Sequence, residues 1–248
     1  MLELSLKLFA FALIAYGVFV LLPFIILGTS KRMQKYRIDD KQKIIDTKSI
    51  RYEAIGTLNT FIIIFLTCLL GSYLYLNDLT LLKEEIRNPF LYTLSIIAVI
   101  LLHDAYFFFT HYLMHQNKRL YKFHLHHHKS INPTAFSVFS FHPVEGVIHF
   151  IFFIGLCYLP IHTSVILIFY IWMLLCNAFG HMNLELYSLK ILKFRITRDF
   201  NTATHHYMHH KHFNKNFGIY YNHWDKLFNT NHKDYLKKFV QTRLKIRN

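Results

Sequence analysis

The sequence predicts an all-α integral membrane protein, a helical bundle of about four to five membrane helices or hairpins with a cytoplasmic histidine-rich cap. Three observations predict it. Apolar residues make up 53% of the 248 residues and are gathered in long blocks instead of being spread at amphipathic spacing. Lysine and arginine outnumber aspartate and glutamate by 28 to 14 and lie mainly between those blocks. Most of the 18 histidines fall in a few tight clusters.

This composition argues against several classes of protein. A chain so rich in Phe, Leu and Ile is neither disordered nor fibrous. The three cysteines, Cys68, Cys157 and Cys176, lie singly in apolar stretches, which argues against a disulfide framework and a thiolate metal site. The basic residues form no recognisable nucleic-acid recognition motif, so nucleic acid is not an expected partner.

Four apolar blocks predict the membrane helices. Residues 2 to 28, 54 to 76 and 90 to 109 each approach or exceed the about 20 residues that one crossing needs. The first block is too long for the apolar region of a signal peptide, and no small-residue cleavage site precedes Lys31. The fourth block, residues 144 to 179, is too long for one crossing and is interrupted at Pro160, so it predicts a helical hairpin, either two short crossings or a re-entrant pair.

The charges between the blocks predict the orientation. Residues 29 to 53 hold eight basic side chains, residues 116 to 141 hold four, and residues 182 to 248 hold thirteen. The link from residue 77 to residue 89 holds only two, outweighed by three carboxylates. The positive-inside rule therefore places the three basic segments, and the histidines in them, on the cytoplasmic face. Their excess positive charge is expected to contact anionic headgroups.

The histidine spacing predicts a metal site. His111 and His115 lie four residues apart at the end of the third block and share one face of a helix. Two HxxHH segments, at residues 124–128 and 206–210, can each present three imidazoles within one and a half helical turns. His181 follows Asn177 at the same four-residue spacing. Eight or nine imidazoles exceed the four ligands of one zinc ion and favour two metal ions, although imidazole suits zinc, copper, iron and nickel alike.

Beyond the histidines, several short motifs carry a family resemblance. They are FHLHHHKS from Phe123, NPTAFS from Asn132, FHPVE from Phe141, and THHYMHH followed by NFG and WDKLFNT. Together with the HxxxH of His111 and the HxxHH boxes, they span roughly residues 100 to 230. This region resembles the fatty acid hydroxylase and sterol desaturase superfamily, the membrane histidine-box di-iron oxidases.

The resemblance implies a membrane-bound non-haem di-iron oxidase that hydroxylates or desaturates a lipid C–H bond. The iron ligands that it implies are His111, His115, His124, His127, His128, His181, His206, His209 and His210. It also suggests side chains that orient ligating imidazoles through hydrogen bonds. These are Asp104, His142 and Glu145, together with Asn177, which stands where related enzymes have a second histidine or an asparagine acting through water.

The resemblance further implies the cofactors and partners of such an oxidase. It implies two iron ions, O2 as co-substrate, a lipid substrate from the bilayer, and two electrons drawn indirectly from NAD(P)H. The chain has no room for a fused electron-transfer domain and no GxGxxG motif, so we expect a separate donor such as cytochrome b5, a ferredoxin or a reductase. The basic tail from Lys233 to Arg247 is one expected docking site for an acidic donor.

Three parts of the chain are expected on this basis. Residues 1–89 form N-terminal membrane helices with a basic cytoplasmic loop, residues 90–232 form the catalytic region, and residues 233–248 form the basic tail. The choice between hydroxylation and desaturation stays open. The substrate stays open as well: it can be a sterol, a sterol-like or hopanoid lipid, a fatty acyl or sphingoid chain, an alkyl glycerol ether or a carotenoid.

Other functions of the same histidines also stay open. A membrane zinc-dependent enzyme would use them as ligands, but it would typically carry an HExxH string, and the sequence has none. A metal transporter would place its ligands near the bilayer midplane, whereas these clusters lie mostly outside the apolar blocks. A scaffold with a structural metal site is the third alternative.

Overall fold

The computed structural model describes residues 1–39, 47–130, 134–195 and 197–245, and these ranges are helical with isolated β-bridges. Ten α-helices lie in them: α1 (Leu2–Tyr16), α2 (Leu22–Thr29), α3 (Thr47–Leu76), α4 (Pro89–Gln116), α5 (Lys118–His128), α6 (Pro143–Leu156), α7 (Thr163–His181), α8 (Ala203–His212), α9 (His223–Leu227) and α10 (Tyr235–Leu244). Parts of three predicted features lie outside the described residues. They are residues 40–46 of the basic loop, Asn132 and Pro133 of the NPTAFS motif, and residues 246–248 of the tail.

Four spans in the described part of the chain are long and apolar enough to cross a membrane, namely Leu2–Thr29, Lys48–Leu76, Pro89–Gln116 and Thr163–His181. Large apolar side chains cover their outer surfaces, as Leu58 and Leu66 do on α3. In the first span, α1 and α2 are joined by one π-helical turn, Gly17–Leu21. Pro23 follows this turn and has no amide N–H, which accounts for the local departure from α-helical bonding. The prediction of an all-α membrane bundle is confirmed.

The predicted hairpin consists of α6 and α7. The residues between these helices pair with the link between α3 and α4. Leu81 donates its amide N–H to the carbonyl of Cys157 (2.9 Å), and Lys83 donates to that of Ile161 (2.8 Å). The α6–α7 turn and the α3–α4 link therefore lie at one end of the bundle. The C-terminal ends of α4 and α7 and the N-terminal ends of α3 and α6 lie at the other, the histidine end.

A short 3-10 helix, Ala135–Phe139, is held against the histidine ends of the membrane helices. Its carbonyl groups accept side-chain hydrogen bonds. Thr57 donates to Phe136 and Thr60 to Phe139, both at 2.6 Å, and Tyr16 donates to Ala135 at 2.9 Å. Backbone carbonyls in an apolar interior need such partners, so these hydroxyls determine where the segment after α5 can lie.

The cap consists of α8, α9 and α10 with their connecting loops. Its own small core contains Met208, Tyr235 and Phe239. The buried carboxylate of Glu185 accepts hydrogen bonds from the amide N–H (2.9 Å) and hydroxyl (2.6 Å) of Thr204, in the first turn of α8. A carboxylate at a helix N-terminus satisfies an unpaired amide and stabilises the helix, so Glu185 anchors α8 against the bundle.

Candidate metal centre

Two groups of histidines meet at the histidine end of the bundle. Within each group, the candidate ligand nitrogens all lie within 4.8 Å of one another. The first group contains His111, His115, His124, His128 and His209. The second group contains His127, His181, His206 and His210. These are the nine histidines expected from the sequence motifs, and the structure brings all nine together. Their role as metal ligands stays a prediction.

Each HxxHH segment divides between the two groups. On α5, His124 and His128 are four residues apart and share the first group, while His127 faces the second. On α8 the arrangement is reversed, because the four-residue pair His206 and His210 joins the second group and His209 joins the first. Residues four apart share a helical face, whereas the neighbour of either is rotated by about 100°. Two short helices can therefore supply both groups.

Two rings of the first group have proton positions that an acceptor at Nδ1 defines. His111 donates from Nδ1 to the carbonyl oxygen of Phe217 (2.8 Å), and His124 donates from Nδ1 to a carboxylate oxygen of Glu145 (2.7 Å). In the neutral rings, both Nε2 atoms are therefore unprotonated. These two atoms lie 3.1 Å apart. Two lone pairs at this distance repel each other unless a cation lies between them, so the donor set fits a metal ion.

His209 of the first group and His181 of the second are oriented in the same way. His181 donates from Nδ1 to the carbonyl oxygen of Asn177 (2.8 Å), and His209 donates to that of Lys215 (2.7 Å). The Nε2 atoms of His181 and His206 lie 3.0 Å apart, and those of His209 and His128 lie 3.2 Å apart. Hydrogen bonds of this kind raise the basicity of a ligating imidazole and fix its direction.

Burial keeps the candidate ligands of α5 and α8 neutral. Desolvation lowers the pKa of His209 to about 4, although the hydrogen bond to the carbonyl of Lys215 acts in the opposite direction. Desolvation also lowers the pKa values of His124, His128, His206 and His210 well below the ordinary value, with a further contribution from neighbouring histidines. Neutral imidazole is the form that binds metal, so these rings are in the binding state at neutral pH.

The four side chains expected to orient the imidazoles have different partners. Glu145 contacts His124 as described. Asn177 accepts from His181 through its main-chain oxygen, while its side chain donates to the carbonyl of Met173. Asp104 accepts from the backbone amides of Tyr220 (2.9 Å) and Tyr221 (3.2 Å). His142 accepts from the amide of Val144 and so caps α6. Asp104 and His142 therefore hold the backbone around the centre.

Asp225 holds the loop before α9, and this loop orients two of the candidate ligands. Asp225 was not among the site residues expected from the sequence. The carboxylate of Asp225 accepts from the amides of Phe217 and Gly218, both at 2.8 Å, and from the hydroxyl of Thr230 at 2.7 Å. The loop that it holds carries the carbonyls of Lys215 and Phe217, which orient His209 and His111. A Cβ atom at Gly218 would lie 2.5 Å from the carbonyl oxygen of Tyr221, so the loop needs glycine there. The NFG and WDKLFNT motifs are the sequence signal of this support.

A cavity of about 200 Å³ adjoins the second histidine group. His181 and His206 form part of its wall. Apolar side chains, among them Phe107, Trp172 and Phe179, line it as well, and the last two are about one third exposed. The cavity thus connects candidate metal ligands with apolar side chains on the outer surface of the bundle.

Comparisons with known proteins place this geometry in context. A family model described as fatty acid hydroxylase matches residues 96–230, more than half of the chain. Methylsterol monooxygenase 1 of Gallus gallus is 27% identical over 203 residues, which cover 80% of this chain and 67% of the relative. Cholesterol 25-hydroxylase-like protein of Danio rerio is 26% identical over 219 residues, 85% of each chain. Sphingolipid C4-hydroxylase of Saccharomyces cerevisiae is 32% identical over 154 residues, 58% of this chain and 43% of the relative. No solved structure matches the chain.

Proposed function

The chain belongs to the fatty acid hydroxylase family, and on this premise we propose that it is a membrane-bound non-haem di-iron oxidase that hydroxylates or desaturates a lipid C–H bond. Its relatives carry the names of sterol monooxygenases, sterol desaturases and lipid hydroxylases, so the protein is an oxidoreductase of lipids. The proposal of a di-iron centre depends mainly on one observation. Nine imidazoles converge in two adjacent groups, with Nε2 lone pairs directed at one another.

The donor set supports a pair of iron ions. The first group would hold one ion with up to five imidazoles, and the second group would hold the other with up to four. When bound, the ions would supply the activation of O2 that attack on an unactivated C–H bond requires. The protein orients the imidazoles through Glu145 and the carbonyls of Phe217, Asn177 and Lys215, and it excludes bulk water by burying them.

The position and size of the groups favour this proposal over the alternatives. A structural zinc site uses four ligands, whereas the first group alone has five candidates. A transporter site lies near the bilayer midplane, whereas His115 and His181 lie in the last turns of α4 and α7. Measurement of which metal the protein binds distinguishes the di-iron oxidase from a zinc-dependent enzyme.

The cavity beside His181 and His206 supports the choice of a lipid substrate. An acyl, sterol-like or sphingoid chain would enter from the bilayer past Trp172 and Phe179 and bring one carbon to the second histidine group. Contacts along the rest of the chain would position that carbon. Hydroxylation uses one O2, two electrons and two protons and releases one water, while desaturation of the same position releases two.

Electrons come from a separate donor in this proposal, because the oxidation needs two per turnover. The donor would be cytochrome b5, a ferredoxin or a reductase that draws on NAD(P)H. The histidine end would face the cytoplasm, in line with the eight basic residues in residues 29–53 and the thirteen in residues 182–248. Residues 90–232 would then form the catalytic region, with residues 1–89 as the N-terminal membrane part and residues 233–248 as the basic tail.

Elemental analysis of the detergent-purified protein tests the proposal. The protein is expressed without a histidine tag in iron-replete cells, and iron and zinc are measured per chain. We expect about two irons per chain for the wild type and a loss of iron in His128→Ala, while His162→Ala, at the opposite end of the bundle, retains it. Lipid analysis of the expressing cells then searches for the oxidised product. One zinc without iron, persisting after anaerobic reconstitution with ferrous iron, would overturn the di-iron proposal.

A further inference from the structure

An exposed aromatic ring lies directly against the first histidine group. The ring of Phe213 is 4.9 Å from the ring of His128 in an edge-to-face arrangement, and Phe213 is 36% exposed. The candidate ligands themselves are buried or nearly so, with His128 and His209 at most 2% exposed. Phe213 is thus exposed on one side and contacts a buried candidate ligand on the other.

The backbone of Phe213 adopts a conformation that is unfavourable for a bulky residue. It ends α8 with φ 58° and ψ −25°, in the left-handed region, and donates its amide to the carbonyl of His209 (2.7 Å). Glycine or asparagine usually fills this position after a helix. Strained residues of this kind concentrate at functional sites. Helix termination alone therefore does not account for a phenylalanine here.

The loop that begins at Phe213 runs from the surface to the histidines, since Phe213 and Asn214 are exposed whereas Asn216 and Phe217 are fully buried. The carbonyl of Lys215 accepts from His209, and the carbonyl of Phe217 accepts from His111. The ring of Phe217 lies 5.0 Å from that of His115. A molecule bound at Phe213 would be separated from His128 by one aromatic ring.

Lysines flank Phe213 in the chain. Lys211 precedes it at an exposed position, and Lys215 follows it. The rings of His212 and His232 stack at 4.5 Å, which joins this segment to the loop carrying His232 and Lys233. Among residues 211–215 and 229–234, Asp234 is the one carboxylate. We call residues 211–215 with His232 and Lys233 the α8-end surface.

We propose that the α8-end surface is the docking site for an acidic protein that donates one electron at a time. This inference rests on the proposed function, because it needs a centre that accepts electrons. Two successive transfers would oxidise two donor molecules and reduce the metal centre by two electrons. The donor would approach the first histidine group through Phe213, while the lipid would approach the second group through the cavity at His181.

This placement overlaps the docking site expected from the sequence only at Lys233, the first residue of the basic tail. The basic tail contains α10, whose Tyr235 and Phe239 pack against Met208 of α8. None of the candidate ligands lies in the tail, whereas Phe213 touches one of them. The lysines of the α8-end surface lie beside the contact between Phe213 and His128, and this favours the surface as the docking site. Complementary charge steers the encounter of two proteins and fixes the orientation of their complex.

Binding to two acidic probes tests the charge complementarity. The full-length, iron-loaded protein in lipid nanodiscs is titrated with the soluble haem domain of cytochrome b5 and with a plant-type ferredoxin, at low and high salt. For Lys211→Glu, whose charge lies outside the basic tail, and for the double variant Lys211→Glu/Lys233→Glu, we expect binding to at least one probe to weaken. The double variant should bind about tenfold or more weakly, with a smaller salt dependence. Lys193→Glu, an exposed charge on the 3-10 helix Leu189–Lys193, is the matched control and is expected to bind as the wild type does.

Substitution of Phe213 tests the electron path. Phe213→Gly removes the ring and the backbone strain together, so thermal stability and iron content should stay the same or rise. Oxidation of the reduced cytochrome b5 domain, followed by stopped-flow absorbance of its haem, should slow by about tenfold or more with both Phe213→Gly and Phe213→Leu. Anaerobic reduction by dithionite, followed by Mössbauer spectroscopy, should be unchanged.

Two results would overturn the docking inference alone. One is a wild-type, iron-loaded protein that binds neither probe at low salt. The other is unchanged binding in the charge variants together with unchanged transfer rates in the Phe213 variants. Absence of iron after ferrous reconstitution would instead overturn the proposed function, and the docking inference with it.

Discussion

The Nε2 atoms of His111 and His124 lie 3.1 Å apart, while the Nδ1 atom of each ring donates to an acceptor oxygen. His111 comes from the end of α4 and His124 from α5, which begins two residues after α4 ends. The side chain of Asn117 caps the start of α5 by accepting from the amides of Arg119 and Leu120. The sharp change of direction at Asn117 turns α5 back so that two unprotonated nitrogens face each other.

Metal removal is expected to destabilise the protein. Without a cation, the lone pairs of His111 and His124 face each other in a buried site, so the midpoint of thermal unfolding should fall. A metal ion present at 100 times its dissociation constant stabilises the folded state by about 2.7 kcal/mol. The measurement compares chelator-treated protein with the same sample after anaerobic addition of ferrous iron. Magnesium prefers oxygen ligands and is the control. Equal midpoints with and without iron would contradict the prediction.

Glu145→Gln is expected to lower iron affinity by about 10- to 100-fold. The neutral amide accepts the Nδ1 proton of His124 more weakly than the carboxylate does, so it reduces the basicity of the ring. Retained iron is measured against a competing chelator. Glu85→Gln removes an exposed carboxylate that pairs with Arg87 at the opposite end, and it should leave iron affinity unchanged. A Glu145 variant that holds iron as tightly as the wild type would disprove the role.

Asp225→Asn is expected to loosen the loop that orients His111 and His209. Burial alone would raise the pKa of Asp225, but hydrogen bonds from His205, Thr230 and the amide of Gly218 outweigh it and hold the pKa below its usual value. Loss of the buried charge should destabilise the protein by about 3 kcal/mol and reduce iron per chain.

Asp199→Asn is the matched control for Asp225→Asn. Its carboxylate pairs with Lys226 at a partly exposed position, so the effect should be small. Chemical denaturation and elemental analysis measure both variants. If Asp225→Asn and Asp199→Asn behave alike, the support by Asp225 is not needed.

The metal-free protein is expected to lose stability as the pH falls from about 6.5 to about 4. Burial lowers the pKa of His209 to about 4, so the unfolded chain binds this proton at a higher pH than the folded chain does. Stability is therefore full above the unfolded pKa and declines as the pH falls towards the folded pKa, by about 3 kcal/mol for this one group. Unfolding midpoints between pH 8 and pH 4 check the sign, and His209→Gln should flatten the curve. A rise in stability on acidification would contradict it.

Gly180→Leu is expected to block the lipid without loss of iron. A Cβ atom at Gly180 would lie 3.5 Å from the ring of His206, an ordinary contact, so the larger side chain extends into the cavity beside the second histidine group. Lipid oxidation should fall by about tenfold or more while iron per chain is unchanged. Gly155→Leu, where a Cβ atom meets nothing within 4 Å, is the control for an added leucine in a membrane helix. Equal activity of the two variants would show that the cavity is not the lipid site.

Local periodicity made much of the fold predictable. The third and fourth apolar blocks correspond to α4 and to the α6–α7 hairpin, whose turn contains Pro160, because apolar length and a proline break are properties of consecutive residues. The four-residue spacing of His111 and His115 also places both in one group, as the helical period requires.

The division of the HxxHH segments between two groups depended on tertiary structure. The sequence presents His124, His127 and His128 as one box, but which face of α5 meets α4 and which meets α7 and α8 is decided by packing. The groups that accept hydrogen bonds from the histidines were also only partly predictable from the sequence. Glu145 was identifiable as a carboxylate in a motif, whereas the carbonyls of Lys215 and Phe217 carry no residue-type signal, since every residue has one.

By itself, therefore, the sequence predicted that this chain forms membrane helices and, through its resemblance to a known family, which nine histidines to expect as metal ligands. The helices follow from hydropathy, and the shared face of His111 and His115 follows from the 3.6-residue period. Only the tertiary structure decided how the nine divide into groups, which oxygen holds each ring, and which side of the centre faces the cavity or solvent. Those outcomes depend on contacts between residues far apart in the chain, such as His111 with Phe217 and His128 with Phe213.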